Sequence, residues 1–184
     1  LQWPSRENAE VLFAAAGNPP SAGQWSSSSV FSFASPAAMR FQSKDSTCKV
    51  HTLMFVVRAP FEQRCATGTW AFIFDMRPAA QAWLYGPGRS DMIGSDIDYI
   101  SVNGVEQHRS ELDWKEAELK IFSGKPVVIT LTLSQPTSAS HLHLMQRHTG
   151  SEQANGDIAE LLLFKDSIKQ DRRRELEECL MQKW

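Results

Sequence analysis

The last stretch of this chain, Gly156 to Trp184 (GDIAELLLFKDSIKQDRRRELEECLMQKW), constrains the fold more than any other. Ile158 to Phe164 is an apolar run of strand length, and it gives way to a charged segment whose apolar residues, Ile168, Leu176, Leu180 and Trp184, recur at the spacing of one helix face. A helix this short is marginal alone in water. Its apolar stripe therefore needs a folded surface to dock on. The expectation is a strand feeding a terminal amphipathic helix that closes a β-sandwich. Arg172 to Arg174 are the main basic cluster; Arg173 to Glu177 and Arg174 to Glu178 stand at i,i+4 spacing, which predicts a solvated helix face rather than an anion site.

The remainder reads as short strands marked off by turns. Glu10 to Ala15 is a possible early strand, and GNPPSAGQWSSSS, rich in Pro, Gly and Ser, is expected to be a surface connection in which Trp25 folds back as a lid over the core. Val30 to Phe33 and Met39 with Phe41 alternate. Lys49 to Arg58 (KVHTLMFVVR) is apolar on both faces, as a central buried strand must be. Thr69 to Asp75, Gln81 to Tyr85 and Ile97 to Val102 follow, and Asn103-Gly104 between apolar flanks predicts a hairpin with positive φ at both turn residues. Ser110 and Asp113 resemble a capping box, so Ser110 to Lys120 is expected to be a short rim helix. Val127 to Ser134 alternates cleanly, with Val127, Ile129, Leu131 and Leu133 toward the core and the other face toward solvent or a concave surface. In His141 to Gln146, Leu142 and Leu144 are expected to face inward.

Gly156, Ile158, Ala159, Glu160, the run Leu161 to Phe164, Ile168, Leu176, Leu180, Lys183 and Trp184 follow a known pattern without a gap. The stretch, about a sixth of the chain, resembles the C-terminal signature of laminin G-like or concanavalin A-like jelly-roll domains: Gly-x-Ile-Ala-Glu-(apolar run), then a helix ending Tyr-Leu-x-x-Lys-Trp. Lys169 stands where the family has a capping Ser, Arg172 where it often has Glu, and Cys179 where Tyr is common, so Asp166, Ser167 or Asp171 are the substitute caps. The resemblance implies an all-β, two-sheet antiparallel jelly-roll sandwich with a C-terminal amphipathic helix and a short rim helix. One domain is expected over residues 1–184, partly irregular over 1–29. The same sandwich carries lectins, adhesion modules and glycanases, so the resemblance does not by itself select a function.

Composition excludes several classes. A formal net charge of -2 and a pI near 6.2 carry no nucleic-acid footprint. No apolar run is long enough for a membrane span. The chain starts at Leu1 rather than Met, which fits a mature or excised piece of a longer protein. Cys48, Cys65 and Cys179 form neither a disulfide framework nor a zinc pattern; a Cys48–Cys65 bridge is left open, and small buried thiols are the simpler reading.

Three constellations carry candidate chemistry. Glu111, Asp113 and Glu116 have the E-x-D-x-x-E spacing that resembles the catalytic string of laminarinase-type glycanases, where carboxylates alternating along a strand act as nucleophile and acid. On a helix these three would not converge, so a solvated helical face is expected. His141 and His143 share a strand face at metal-ligand spacing, yet the glutamate a cupin would add is missing, and two histidines on a solvent-facing edge are the expectation. Trp83 and Tyr85, followed by Arg89, Asp91, Asp96 and Asp98 around a Gly-Pro-Gly turn, join aromatic faces that cover sugar C–H surfaces to groups that hydrogen-bond hydroxyls. Those carboxylates are also chemically able to hold Ca²⁺, although no cofactor is required. The expected function is a non-catalytic module that recognises a glycan or a glycosylated or matrix protein, outside the cell or at its surface. The alternatives are a structural protein–protein interaction module of a larger assembly, and a laminarinase-type glycoside hydrolase; the partners expected besides a glycan or glycoprotein are other domains of a longer chain.

Overall fold

A computed structural model of the chain describes residues 11–15, 21–25, 28–33, 39–43, 48–60, 71–86, 93–139, 141–149 and 154–184. Among these residues are twelve strands and two α-helices. The strands are β1 (Val11–Ala15), β2 (Ser21–Trp25), β3 (Ser28–Phe33), β4 (Met39–Ser43), β5 (Cys48–Arg58), β6 (Ala71–Asp75), β7 (Trp83–Gly86), β8 (Ile97–Val102), β9 (Val105–His108), β10 (Val127–Ala139), β11 (His141–Leu144) and β12 (Gly156–Phe164). The helices are α1 (Trp114–Ile121), which follows a 3₁₀ turn at Arg109–Glu111, and α2 (Gln170–Lys183).

The strands form two antiparallel sheets. One has five strands in the order β1-β4-β11-β6-β7, and the other has seven in the order β2-β3-β12-β5-β10-β8-β9. Leu53, Phe55 and Val57 of β5, Ile129 and Leu131 of β10, Phe74 of β6 and Leu142 of β11 meet in one apolar core, with the Phe55 and Phe74 rings 6.4 Å apart. The sheets therefore pack face to face as a sandwich. Val127, Ile129, Leu131 and Leu133 all enter this core, as their alternation requires.

The opposite face of the seven-stranded sheet is covered as well. Met54 and Val56 of β5, Val128 of β10 and Ala159 of β12 form a second cluster with Leu180, against which Ile168, Leu176 and Trp184 pack. Both faces of β5 are thus buried, and the apolar stripe of α2 docks where its spacing said it must. This corrects one expectation in part: on the second face of β10, Val128 and Thr130 meet α2 rather than solvent, while Ser134 is exposed. Thr130 donates a hydrogen bond to Glu177 Oε1 at 2.6 Å. A second correction concerns the helix's charges. Arg173 and Glu177 are buried, Arg173 being ion-paired to Glu106 of the edge strand β9, because α2 lies down on the side that carries them. Arg172 keeps an exposed pair with Glu175.

Local chemistry sets the boundaries. Asn103 (φ 51°) and Gly104 (φ 79°) make the β8–β9 hairpin turn with the positive φ pair expected of Asn-Gly. Gly156 opens β12 at φ 147°, and a Cβ there would run into the Arg58 carbonyl oxygen. Beside it Asp157 accepts from Arg58 Nε (2.8 Å) and Ser32 Oγ (2.5 Å), tying β12 to both its neighbours. Helix α1 starts later than expected, because the capping residue is Asp113, which accepts from the backbone N–H groups of Lys115 and Glu116, and not Ser110. Helix α2 has Lys169 at its N-cap without a side-chain cap, so none of Asp166, Ser167 and Asp171 substitutes for the missing serine. Residues 21–25, expected as a loop, form β2 at the edge of the seven-stranded sheet; backbone pairing with β3 on one side asks little of the side chains. Trp25 is on that strand. Cys179 is free and exposed on α2, while Cys65 lies outside the described residues.

Leu180→Ala is expected to cost about 2–5 kcal/mol, the range for emptying a buried aliphatic site, measured by urea denaturation. Removing residues 168–184 exposes Met54, Val56 and Val128, and should leave a protein that binds a hydrophobic dye and melts without cooperativity. A cooperative melt at an unchanged temperature would refute the docking role of α2.

Candidate functional site

Strands β11, β6 and β7 lie side by side, and their register puts His143 opposite Asp75 and Asp75 opposite Trp83. In the adjoining row Leu144, Phe74 and Leu84 point into the core. Since strand side chains alternate, His143, Asp75 and Trp83 belong to the outer face of the five-stranded sheet. Two further residues fold onto this row. Arg77, in the turn after β6, directs its backbone N–H and Nε to Asp75 Oδ1 (both 2.9 Å) and Nη2 to Oδ2 (2.7 Å). His148, beyond β11, brings its backbone N–H and Nδ1 to the same Oδ2, each at 2.9 Å.

Asp75 is fully buried, yet its two oxygens have five nitrogen partners. Burial pushes its carboxyl up. The Arg77 side chain, the backbone N–H groups of His148 and Arg77, and the His148 ring together outweigh that and hold it below the usual carboxylate value. An ionised carboxylate only accepts, so the His148 proton sits on Nδ1 and Nε2 is left for other partners. The Arg77 guanidinium lies 4.6 Å from the Trp83 ring centroid and 5.1 Å from that of Phe72, a cation held over two aromatic faces. Gln146 Nε2 stands 3.3 Å from His143 Nδ1. Beside this cluster is a cavity of about 200 Å³ lined by Met76, Arg77, Pro78, Ala79, His141, His143 and His148.

A larger groove, about 600 Å³, runs between the end of β12 and the start of α2. Its floor includes Leu163, Phe164, Ile168 and Leu176, and its cations, Lys165, Lys169 and Arg172, are exposed. Polar groups converge in the smaller cavity instead, which makes that the candidate site.

The expected site residues are only partly brought together. Trp83 is half-buried on the outer face, in the site, as one member of the expected aromatic pair. For Tyr85 only its place on β7, paired with Phe72, is described. Arg89 and Asp91 lie outside the described residues. Asp96 is near the base of β7, but its carboxylate is engaged by the Gln81 N–H (2.8 Å) and approached by the Ser95 hydroxyl (3.3 Å), the work of a turn former. Asp98 is on β8, in the other sheet. His141 and His143 are corrected from an edge strand to the middle strand of the five-stranded sheet, where His143 is buried and His141 half-buried. Among the described residues no three His, Cys, Asp or Glu side chains converge to hold a metal ion. The E-x-D-x-x-E string diverges: Glu111 ends the 3₁₀ turn, Asp113 caps α1, and Glu116 pairs with Lys120 at 2.6 Å.

Asp75, Arg77 and His148 were not foreseen as site residues. Asp75 closes an aromatic strand and His148 stands 73 positions later in a polar loop, so no local spacing links them. The class that the fold defines is an all-β sandwich of two antiparallel sheets with helical cover on one of them. No protein-family model, curated protein or solved structure matches the chain. Among the described residues no helix is long and apolar enough to cross a membrane.

The folded value of the Asp75 carboxyl is depressed below the unfolded value of about 3.9. Its contribution to stability is therefore complete above about pH 4 and is lost as pH falls through the lower, folded value. Asp75→Asn strands Arg77 without its counter-charge and should cost about 3–5 kcal/mol at neutral pH. The variant should also show a flatter stability profile below about pH 4, read from urea unfolding at a series of pH values. A profile parallel to the parent's would contradict the role given to this carboxylate.

Proposed function

We propose that this chain is a jelly-roll module of the laminin G-like, concanavalin A-like kind that binds, without transforming, a glycan or a glycosylated or matrix protein. The reading places it outside the cell or at the cell surface, alongside other domains of a longer chain. One observation carries it: the outer face of the five-stranded sheet joins an aromatic ring, Trp83, to a fixed guanidinium and a cavity lined by three histidines. Sugar recognition asks for that pairing of an apolar face with rigid hydrogen-bonding groups. The seven-stranded sheet offers less on its outer face, where α2 lies. The glycanase reading is the weaker one, because Glu111 and Glu116 are held on a 3₁₀ turn and a helix, whereas the retaining mechanism needs two carboxyl groups facing one bond.

On a glycan array the domain should bind a restricted set of glycans, and Trp83→Ala should weaken binding by roughly thirty-fold, as for a tryptophan worth about 2 kcal/mol at a recognition site. A Glu111→Gln, Glu116→Gln double variant should bind like the parent. Neither protein should release reducing sugar from β-glucans, galactans or xyloglucans. Turnover abolished in the double variant would establish the hydrolase instead.

A further inference from the structure

We infer that the cavity between Arg77 and His148 is an oxyanion subsite that takes the carboxylate or sulfate group of an acidic sugar. This deepens the glycan-binding reading and rests on it. The charged and polar side chains on the wall, Arg77, His141, His143 and His148, all bear nitrogen. Arginine only donates, and an imidazole donates through whichever ring nitrogen carries a proton. The carboxylate nearby, Asp75, is fully buried with both oxygens occupied, so it organises the donors without presenting an oxygen to a ligand.

Arg77 uses its backbone N–H, Nε and Nη2 on Asp75, and among the described residues Nη1 has no partner. His148 spends its Nδ1 proton on Asp75, and its remaining nitrogen, Nε2, donates to an anion when the ring is in the doubly protonated imidazolium form. One carboxylate thus fixes two side chains that both line the same small cavity. Rigid, pre-oriented donors bind an anion without a further ordering cost. Met76, Pro78 and Ala79 complete the wall, and their apolar surface strengthens electrostatic contacts by keeping water from one side.

Size and chemistry narrow the ligand. About 200 Å³ is less than the roughly 300–1,000 Å³ of pockets that enclose a drug-sized molecule, so the cavity takes a terminal group rather than a whole oligosaccharide or nucleotide. Divalent cations fit poorly, because the wall supplies no free carboxylate oxygen. The Arg77 guanidinium spans from the cavity to the Trp83 ring, so a sugar whose anionic group enters the cavity has its ring carried toward the indole.

The test is a titration of the ¹⁵N-labelled protein, following the imidazole nitrogens of His148, with methyl β-glucuronide, methyl β-glucoside and sodium sulfate as probes. The expected result is a saturable shift with the glucuronide, none with the glucoside, and a weaker shift with sulfate. Arg77→Lys and His148→Gln should each weaken glucuronide binding at least tenfold. Because these variants disturb Asp75, the wild-type resonances decide the matter if either unfolds. Sulfate binding as tightly as the glucuronide would overturn the assignment to a sugar while keeping the oxyanion. Glycans bound through Trp83 with the His148 nitrogens unmoved would overturn this inference and leave the glycan-binding reading standing. No shift with either anion would overturn the subsite outright.

Discussion

Strand β5 has no face to give to water. Leu53, Phe55 and Val57 are buried on one side and Met54 and Val56 on the other, all within about one per cent of full burial. A sheet built around such a strand needs two apolar layers. The five-stranded sheet supplies the first through Phe74, Leu84, Leu142 and Leu144, and α2 supplies the second through Leu176, Leu180 and Trp184. The helix at the C-terminus is therefore part of the core. Trp184 Nε1 donates to Glu160 Oε1 at 3.1 Å, which fastens the helix end to the strand that precedes it.

Docking α2 buries charge together with apolar surface. Arg173 and Glu177 are drawn under the helix, where Glu177 accepts from Thr130 of β10 and Arg173 reaches Glu106 of β9. Burial lowers the Arg173 guanidinium from its ordinary value, with Glu177 acting to raise it and Arg174 to lower it. A buried pair of this sort adds little net stability over an apolar pair of the same shape. It has a directional effect that apolar residues lack, since the Thr130–Glu177 and Arg173–Glu106 contacts are made only when α2 lies in one register on the sheet.

Another buried charge, Asp75, sits on the opposite side of the molecule. Here the carboxylate organises groups from two distant segments, the turn after β6 and the loop after β11, around a cavity. With both Asp75 oxygens engaged, the partner groups are held rigidly. The two outer sheet faces thus differ: one is closed by a helix, and the other carries aromatic, guanidinium and imidazole groups.

The sequence by itself determined what local periodicity can express. The double-sided apolar run of Lys49 to Arg58, the alternation from Val127, the Asn103-Gly104 turn and the stripe from Ile168 to Trp184 each depend on neighbours within a few residues, and each names an element with its buried face. Edge strand β2 escaped this reading, because an edge is held by backbone pairing that Ser, Ala and Gly allow as well as larger residues do. Arg173 and Glu177 have the same i,i+4 spacing whether a helix faces water or a sheet, so only docking decided that they are buried. The candidate site was the least legible part. Trp83 could be singled out as an aromatic beside a turn, but Asp75, Arg77 and His148 meet because strand order sets β11 against β6, and no residue pattern along the chain encodes which strand becomes the neighbour of which.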